Sequence, residues 1–203
     1  MSNDPFAIVR GFEMAVAEYT GAPFVVSTTS CTMGLLIACA WWRFRYGPCL
    51  VSMPKLSYLG VPASILNAGL SVKFHEEDWQ GEYRLLGTDI WDSARRFTSG
   101  MYRQGQIQVT SHHWAKILPL GQGGCILLDD QIAAATMRKM RFDGRTEGCP
   151  ADMDEVLYPS WHAIMTPETA AHGLMKLSVL PKHNVDLARS DYPDLSQLEA
   201  FRG

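Results

Sequence analysis

A short polar stretch with one lysine, Thr110–Leu118, separates two apolar segments of the chain. The segments on either side, Gly105–Val109 and Gly123–Leu128, have the composition of buried β-strands. A charged amine beside buried strands is costly unless it is paired or used chemically. Burial also lowers the pKa of a lysine, which makes its neutral amine available as a nucleophile. Lys116 is therefore either an exposed loop residue or a reactive amine, and other parts of the sequence are needed to choose.

Strand-like and helix-like segments alternate along the rest of the chain. The strand-like segments are short and apolar, whereas the helical ones carry apolar residues at helical spacing. The predicted strands are 22–27, 48–53, 70–74, 85–91, 105–109 and 123–128, and the predicted helices are 6–19, 33–46, 58–68, 131–142 and 167–180. This order predicts an α/β protein with a mostly parallel central sheet of about six or seven strands, flanked by helices. Residues 76–84 are predicted to form a loop.

The composition argues against several classes of protein. With 203 residues, 47% of them hydrophobic, the chain can bury one sizeable core. The net charge of -3, without a basic run, argues against nucleic acid binding, and the longest apolar stretch, 35–42, is too short to span a bilayer. The five cysteines contain no Cys-x-x-Cys pair, which fits a reducing compartment and argues against a zinc site. The N-terminus does not resemble a signal peptide. We expect a cytoplasmic protein with no nucleic-acid or membrane partner.

Polar clusters follow three of the predicted strands. They are Thr28–Thr32, Asp92–Ala94 and Ser111–Lys116. In open α/β sheets, ligands bind beyond the carboxyl ends of the strands. Three polar clusters at such ends favour the interpretation of Lys116 as a reactive amine.

Several segments of the chain match the motifs of one enzyme family in the right order. Phe12–Gly21 fits the pattern F-E-x-x-x-A-x-Y-x-G, and Met165–Leu174 fits M-x-x-x-x-A-A-x-G-L. The other segments resemble their motifs with some positions changed: Ser30–Leu35 resembles S-G-T-A-A-L, Pro54–Tyr58 resembles P-S-F-T-F/Y, Asp92–Ala94 resembles D-A-A, and Ser111–Gly124 resembles S-F-x-x-x-K-N-L followed by G-E-G-G. Together they resemble the DegT/DnrJ/StrS family of sugar aminotransferases, which are pyridoxal-phosphate enzymes of fold type I. The resemblance extends to about Leu180.

The resemblance implies how the central residues would act. Lys116 would be the Schiff-base lysine that binds the aldehyde of pyridoxal 5'-phosphate and moves the proton between substrate and cofactor. Asp92 would keep the pyridine nitrogen protonated, which makes the ring an electron sink. Tyr58 would stack on the ring. Without the family, Asp92 could be a strand-end cap and Tyr58 a packing residue.

The resemblance also implies a phosphate site at the start of the second helix. Free backbone amides and the helix dipole favour an anion there, and Ser30, Cys31 and Thr32 occupy this turn. Ser111 would add a hydroxyl group, and Ala94 completes the D-A-A motif of the cofactor site. The structural alternatives are an ordinary helix cap for the turn and an ordinary strand-end serine.

Four departures from the family motifs bear on this assignment. Cys31 replaces a glycine, which would cost stability only if that position needs a positive φ. Arg95 replaces the usual Gln or His after D-A-A, and Ile117 replaces an Asn. His162 and Ile164 stand where the family has Asn and Arg. In the family that Asn reaches the phosphate from the partner subunit, so His162 could replace it as a donor, or it could be an ordinary loop histidine.

Family members are considerably longer than this chain. We therefore expect residues 1–180 to form a minimised cofactor-binding large domain and residues 181–203 to be the remnant of a C-terminal small domain that is largely absent. The strand and helix that the family has between the third strand and the Asp92 strand are also lacking here, since only 76–84 connects these two strands.

The resemblance implies a function and an assembly. We expect an aminotransferase that moves an amino group from an amino acid such as glutamate to a keto-sugar nucleotide through the Schiff base of Lys116. Fold type I sites are shared across a dimer, so we expect a homodimer in which the loop Asp143–Ile164 reaches the neighbour. The alternative is a non-catalytic or regulatory homologue that has lost the elements that enclose the substrate. A dehydratase is disfavoured, because relatives with that activity lack the lysine.

Overall fold

The computed structural model describes residues 4, 6–158 and 160–201. The α-helices found there are α1 (Ala7–Thr20), α2 (Cys31–Tyr46), α3 (Gly60–Asn67), α4 (Gln131–Met140) and α5 (Pro167–Leu177). The β-strands are β1 (Phe24–Thr28), β2 (Leu50–Pro54), β3 (Ser71–His75), β4 (Tyr83–Arg84), β5 (Ile90–Asp92), β6 (Ile107–Ser111) and β7 (Gly124–Leu128). Two short 3-10 helices follow at Leu195–Gln197 and Glu199–Phe201. The predicted helices are confirmed to within a few residues at their ends.

The strands form a mixed sheet of five strands, in the order β1-β7-β6-β5-β4, and a parallel pair, β2-β3. Within the larger sheet, β5 and β6 are parallel, whereas the other three pairings are antiparallel. The α/β class is confirmed, but the prediction of a mostly parallel sheet is wrong. Parallel neighbours need a long crossover, usually a helix, and the 112–123 connection from β6 to β7 contains none, so β7 returns antiparallel.

The predicted strand 85–91 is also wrong over most of its length. The chain turns tightly there, with Gly87 at a φ of 96° that only glycine adopts easily, and β5 begins at Ile90. The predicted loop before it contains β4. Beyond β4, Leu86 pairs with Ser52 of β2 through two backbone hydrogen bonds of 2.9 Å. This segment therefore lies between the five-stranded sheet and the β2-β3 pair and joins them.

Helices cover both faces of the sheet. On one face, α2 lies close to β6, because a Cβ atom on Gly34 would come within 2.8 Å of Val109 Cγ1. On the other face, α1 packs against α5, and a Cβ atom on Gly173 would come within 2.5 Å of the ring of Phe12. Phe12 is fully buried. Burial of a side chain of this kind stabilises the folded state by roughly 1.5–3 kcal/mol. Small residues at the contacts thus set how closely the helices approach.

A buried ion pair connects α1, β1 and the end of α4. The guanidinium of Arg141 is fully buried and pairs with Glu13 Oε1, and its Nη1 donates to the Ser27 carbonyl oxygen at 2.6 Å. Glu13 Oε1 also accepts hydrogen bonds from the Ser27 amide at 2.9 Å and from the Ser27 hydroxyl at 2.8 Å. The other arm of Arg141 pairs with Glu147 at 2.9 Å. Arg141 thus fixes strand β1, and its positive charge also stabilises the C-terminal end of α4.

The two adjacent histidines after β6 have opposite environments. His113 is exposed, whereas His112 is fully buried and meets the rings of Phe12 and Phe97 edge-on. The ring nitrogen Nε2 of His112 lies 3.4 Å from Cys125 Sγ. Burial disfavours the charged imidazolium and lowers the pKa of His112 to about 4.

We expect the free energy of unfolding to fall as the pH is lowered from 7.5 to 5. In this range the unfolded chain takes up a proton at His112 near its ordinary pKa of 6.5, whereas the folded chain does so only near pH 4. The loss is on the order of 2 kcal/mol at pH 5. Urea unfolding at both pH values measures it. The pH dependence should shrink in His112→Gln and persist in His183→Gln, which changes an exposed histidine; an unchanged pH dependence in His112→Gln would contradict the assignment.

Candidate active site

A cavity of about 480 Å³ opens where β5 and β6 end and α2 begins. Every site residue predicted from the sequence lines it, except His162. These lining residues are Ser30, Cys31, Thr32, Tyr58, Asp92, Ala94, Ser111 and Lys116. The polar lining residues that the sequence did not single out for the site include Ser57, Arg95, Gln122, Ser190 and Tyr192, together with the indole of Trp79. The structure thus brings the three polar clusters of the sequence to one place.

Asp92, the last residue of β5, is buried and held in place from two sides. Its Oδ2 accepts a hydrogen bond from the hydroxyl of Tyr83 at 2.8 Å, and its Oδ1 accepts one from the Ala94 amide at 3.0 Å. Tyr83 has a single hydroxyl hydrogen, which it donates to Asp92. Ser57 Oγ is therefore the donor in the 2.5 Å contact between Ser57 and Tyr83. Burial raises the pKa of Asp92, and the bond from Tyr83 opposes that shift.

Lys116 lies in the turn that follows β6 and is half-buried, with its amide donating to the His113 carbonyl oxygen at 2.9 Å. Burial is the main cause of the lowered pKa of its amine, and the nearby guanidinium of Arg95 lowers it further. Asp92 acts in the opposite direction. The neutral amine of Lys116 is therefore more populated at neutral pH than that of an exposed lysine.

The first turn of α2 packs against the start of β7 without room for another atom. Ser30 caps the helix, and its Oγ accepts a hydrogen bond from the Met33 amide at 3.1 Å. A Cβ atom on Gly124 would lie 2.6 Å from the Cys31 nitrogen and 2.7 Å from the Ser30 carbonyl carbon. Within the described ranges Asp143 is the one non-glycine residue with a positive φ, so Cys31 replaces the family glycine without backbone strain.

Three aromatic side chains form one wall of the cavity. Tyr192 stacks on Trp79 with the ring planes 12° apart and the centroids 6.4 Å apart. Trp79 is fixed by its indole nitrogen, which donates to the Leu56 carbonyl oxygen at 3.0 Å. Tyr58 is 55% exposed, with its ring 6.5 Å from that of Tyr192. Tyr58 thus stands at the open end of the wall.

Tyr192 belongs to the polar segment after Leu180, which is anchored across the cavity. The Leu195 amide donates to the Lys55 carbonyl oxygen at 2.9 Å, and the Lys55 ammonium pairs with Asp194 at 3.0 Å. The side chain of Leu195 is fully buried. Sequence patterns gave no signal for these contacts, because the anchors are single residues far apart in the chain.

His162 lies outside the cavity. Its side chain is 73% exposed, and its Nδ1 is 2.7 Å from Asp143 Oδ2. A role for His162 at a phosphate would require the neighbouring subunit, as the family resemblance implies.

In the part of the chain described, no group of three or more His, Cys, Asp or Glu side chains is arranged to hold a metal ion. Nor does any helix in that part have the length and apolar character needed to cross a membrane.

The fold of this chain is similar to that of several solved structures. AtS13 from Actinomadura melliaura matches with a TM-score of 0.74 at 20% identity, over 85% of this chain and 60% of that one. The sugar aminotransferase CalS13 from Micromonospora echinospora matches with a TM-score of 0.70 at 20% identity, over 86% and 61%. GDP-4-keto-6-deoxymannose-3-dehydratase (ColD), solved with GDP-perosamine bound, matches with a TM-score of 0.68 at 16% identity, over 86% and 61%. The chain spans about three fifths of the length of these proteins.

The sequence resemblance is confirmed over the first part of the chain. A model of the DegT/DnrJ/EryC1/StrS aminotransferase family matches residues 6–81, which include the turn Ser30–Thr32 and Tyr58. Asp92 and Lys116 lie beyond the matched range, and their roles stay predictions. No curated protein matches the sequence.

Gly124→Ala should destabilise the protein by about 1–3 kcal/mol, because the added methyl group meets backbone atoms that cannot move independently. The matched control is Gly11→Ala in α1, where the nearest neighbouring atom would be 3.9 Å away. That change should be neutral or stabilise by up to about 1 kcal/mol, since alanine favours the helix. Urea unfolding measures the free energy of unfolding of both variants, and equal values would refute the tight packing at α2.

Neighbouring charges should move the pKa of Lys116 in opposite directions. Arg95→Gln removes a repulsive charge and should raise the pKa of the Lys116 amine, whereas Asp92→Asn removes an attractive charge and should lower it. The pH dependence of Lys116 acetylation, followed by mass spectrometry, measures the shift. Arg45→Gln, on the exposed end of α2, is the control and should leave it unchanged. Shifts of the same sign in both site variants would contradict the arrangement.

Proposed function

We propose that this protein is a pyridoxal-phosphate-dependent aminotransferase that moves an amino group from an amino acid such as glutamate to a keto-sugar nucleotide. The observation that carries the proposal is the convergence of Lys116, Asp92 and the first turn of α2 in one cavity. An amine of lowered pKa, a buried carboxylate and a set of free helix amides are the three groups that this cofactor needs. The family match over residues 6–81 supports the same assignment.

The residues present fit the cofactor. Gly124 lets the first turn of α2 approach the end of the sheet closely, so the free amides of that turn and the Thr32 hydroxyl border the cavity. Helix N-termini of this kind favour a phosphate. Asp92 and Lys116 supply an acid and an amine for the ring and the aldehyde. When bound, pyridoxal phosphate supplies an electron sink for amino-group transfer.

Each residue then has one task. Asp92 would hold a proton on the ring nitrogen, and the Ser57–Tyr83 pair keeps its carboxylate oriented. That positive charge would offset the cost of burying the Asp92 carboxylate. Lys116 would hold the cofactor through its aldehyde. Once displaced by the amino group of the donor, Lys116 would take and return a proton at the substrate carbon, which its lowered pKa favours near neutral pH. Tyr58 would cover one face of the ring.

The substrate class follows from the relatives. CalS13 is a sugar aminotransferase, and ColD was solved with a GDP-sugar, so a keto-sugar nucleotide is the proposed amino acceptor. We further propose a cytoplasmic homodimer. The five cysteines are all free, as in a reducing compartment, and the exposed His162 on the loop 143–164 is available to the cavity of a partner. We propose residues 1–180 as the cofactor-binding domain, with the following segment as a wall of its cavity.

A non-catalytic or regulatory homologue is the second candidate. The observation that favours it is the position of Ser190 and Tyr192, which line the cavity from the segment after Leu180. Such a protein would bind the cofactor without turnover. Incubation with glutamate and a keto-sugar nucleotide, followed by analysis for the amino sugar, separates the two candidates.

We expect purified protein to turn yellow with pyridoxal phosphate and to lose the colour when glutamate is added. Lys116→Ala should abolish the yellow band, because no other amine among the lining residues can react with the aldehyde. Lys73→Ala, which removes an exposed lysine on β3, is the matched control and should keep it. Absorbance titration measures both. A wild-type protein that stays colourless at saturating cofactor would exclude the proposed function.

A further inference from the structure

We propose that Arg95 binds the carboxylate group of the amino-donor substrate. The proposal rests on the proposed aminotransferase function and names the residue that recognises the amino acid. It concerns a position where the family motif has a neutral Gln or His. A cation at that position changes which ligands the cavity favours.

Arg95 is held rigidly beside the cavity. Its amide donates to the Gly81 carbonyl oxygen at 3.1 Å, and its carbonyl oxygen accepts a hydrogen bond from the Leu187 amide at 2.9 Å. One arm of the guanidinium, Nη1, donates to Ser190 Oγ at 2.9 Å. Backbone and side chain are therefore both positioned before any ligand arrives, which lowers the entropic cost of binding.

One nitrogen of the guanidinium has no partner. Arg95 Nε is buried and has no hydrogen-bond partner within the described residues, where no acidic side chain forms an ion pair with Arg95 either. Its neighbours differ in their ion pairs, since Arg96 pairs with Asp186 at 2.7 Å and Arg103 pairs with Glu82 at 2.6 Å, although Arg96 Nε and Arg103 Nη2 also lack a hydrogen-bond partner there. A buried donor without a partner is costly, and a ligand that supplied an acceptor would remove that cost.

The charges that line the cavity also favour an anion. Lys116 and Arg95 are cationic, and Asp92 is the one acidic residue among the lining residues described. Asp92 accepts hydrogen bonds from Tyr83 and from the Ala94 amide, and among the described residues it forms no ion pair with Arg95. In the proposed function Lys116 is bound to the cofactor, and Arg95 is then the free cation of the cavity.

The position and geometry of Arg95 favour a carboxylate next to the reacting carbon over a phosphate that lies several bonds from it. The Nε–Nη2 edge of a guanidinium presents two parallel donors that match the two oxygens of a carboxylate. An amino acid carries its carboxylate one carbon from the amino nitrogen that must reach the position of Lys116. Arg95 and Lys116 line the same cavity. The diphosphate of a nucleotide-sugar lies several bonds from its reacting carbon.

Calorimetric titration with glutarate, which has the carboxylates of glutamate but no amino group, tests the proposal. We expect Arg95→Gln to weaken glutarate binding ~10- to 100-fold, the range for a lost hydrogen bond to a charged group. Arg95→Lys should retain part of the affinity, because it keeps the charge but not the paired donors. Arg45→Gln is the control of equal charge change and should bind like the wild type. A parallel titration with UDP shows whether Arg95 binds a phosphate group instead.

Equal glutarate affinities of the wild type and Arg95→Gln would overturn the proposal. It would also be overturned if Arg95→Gln lost affinity for UDP alone. Absence of glutarate binding by the wild type would overturn it too. Arg95→Lys keeps the test valid if Arg95→Gln does not fold. The titration is informative with and without pyridoxal phosphate, since Arg95 lines the cavity in both cases. A colourless protein whose glutarate binding still depends on Arg95 would reject the proposed function and leave the anion site in place.

Discussion

The close contact between the first turn of α2 and the sheet is the constraint on which the cavity depends. Two glycines make it possible, because a Cβ atom on Gly124 would strike the backbone of Ser30 and Cys31, and one on Gly34 would strike Val109. The free amides of the helix therefore open onto the place where β6 ends. Asp92 and Lys116 reach the same place from the strand ends beside it. Without the two close approaches, the amine and the helix terminus would border separate surfaces.

The ion pair of Arg141 and Glu13 supports this contact from behind. Glu13 binds both the amide and the hydroxyl of Ser27, one residue before the end of β1, and so fixes the strand that leads into the turn at Ser30. Removal of one partner would leave a buried charge unpaired, which typically costs about 3–5 kcal/mol. The cavity thus relies on polar groups that are not among its lining residues.

Local sequence patterns predicted the fold and part of the site, and long-range contacts account for what they missed. Asp92 and Lys116 were singled out because each belongs to a polar cluster that follows an apolar run and to a motif of the family, signals that are contained within a few residues. Tyr83 was missed because β4 is two residues long, too short for a periodic pattern. Ser190 and Tyr192 reach the cavity through anchors to Lys55 and Arg95, residues more than ninety positions away.

The sheet direction was mispredicted for a related reason. Alternating strands and helices favour parallel pairing, but direction is fixed by the length and content of each connection, and the connections around β4 and β7 contain no helix. The helices, by contrast, were found almost in full, because their signal repeats over several turns. The placement of His162 could not be decided from one chain, because the family role involves a second subunit.

The joint between the two sheets has a consequence for the cavity. Lys55 and Tyr58 follow β2, on one side of the joint, whereas Asp92 ends β5 and Lys116 lies in the turn after β6, on the other side. Two hydrogen bonds between Ser52 and Leu86 connect the sheets at this point. The hydrophobic core crosses the joint as well, since Val51 and Met53 of β2 are buried together with Ile90 of β5. The cavity therefore takes residues from both sheets, and its shape depends on contacts that lie outside it.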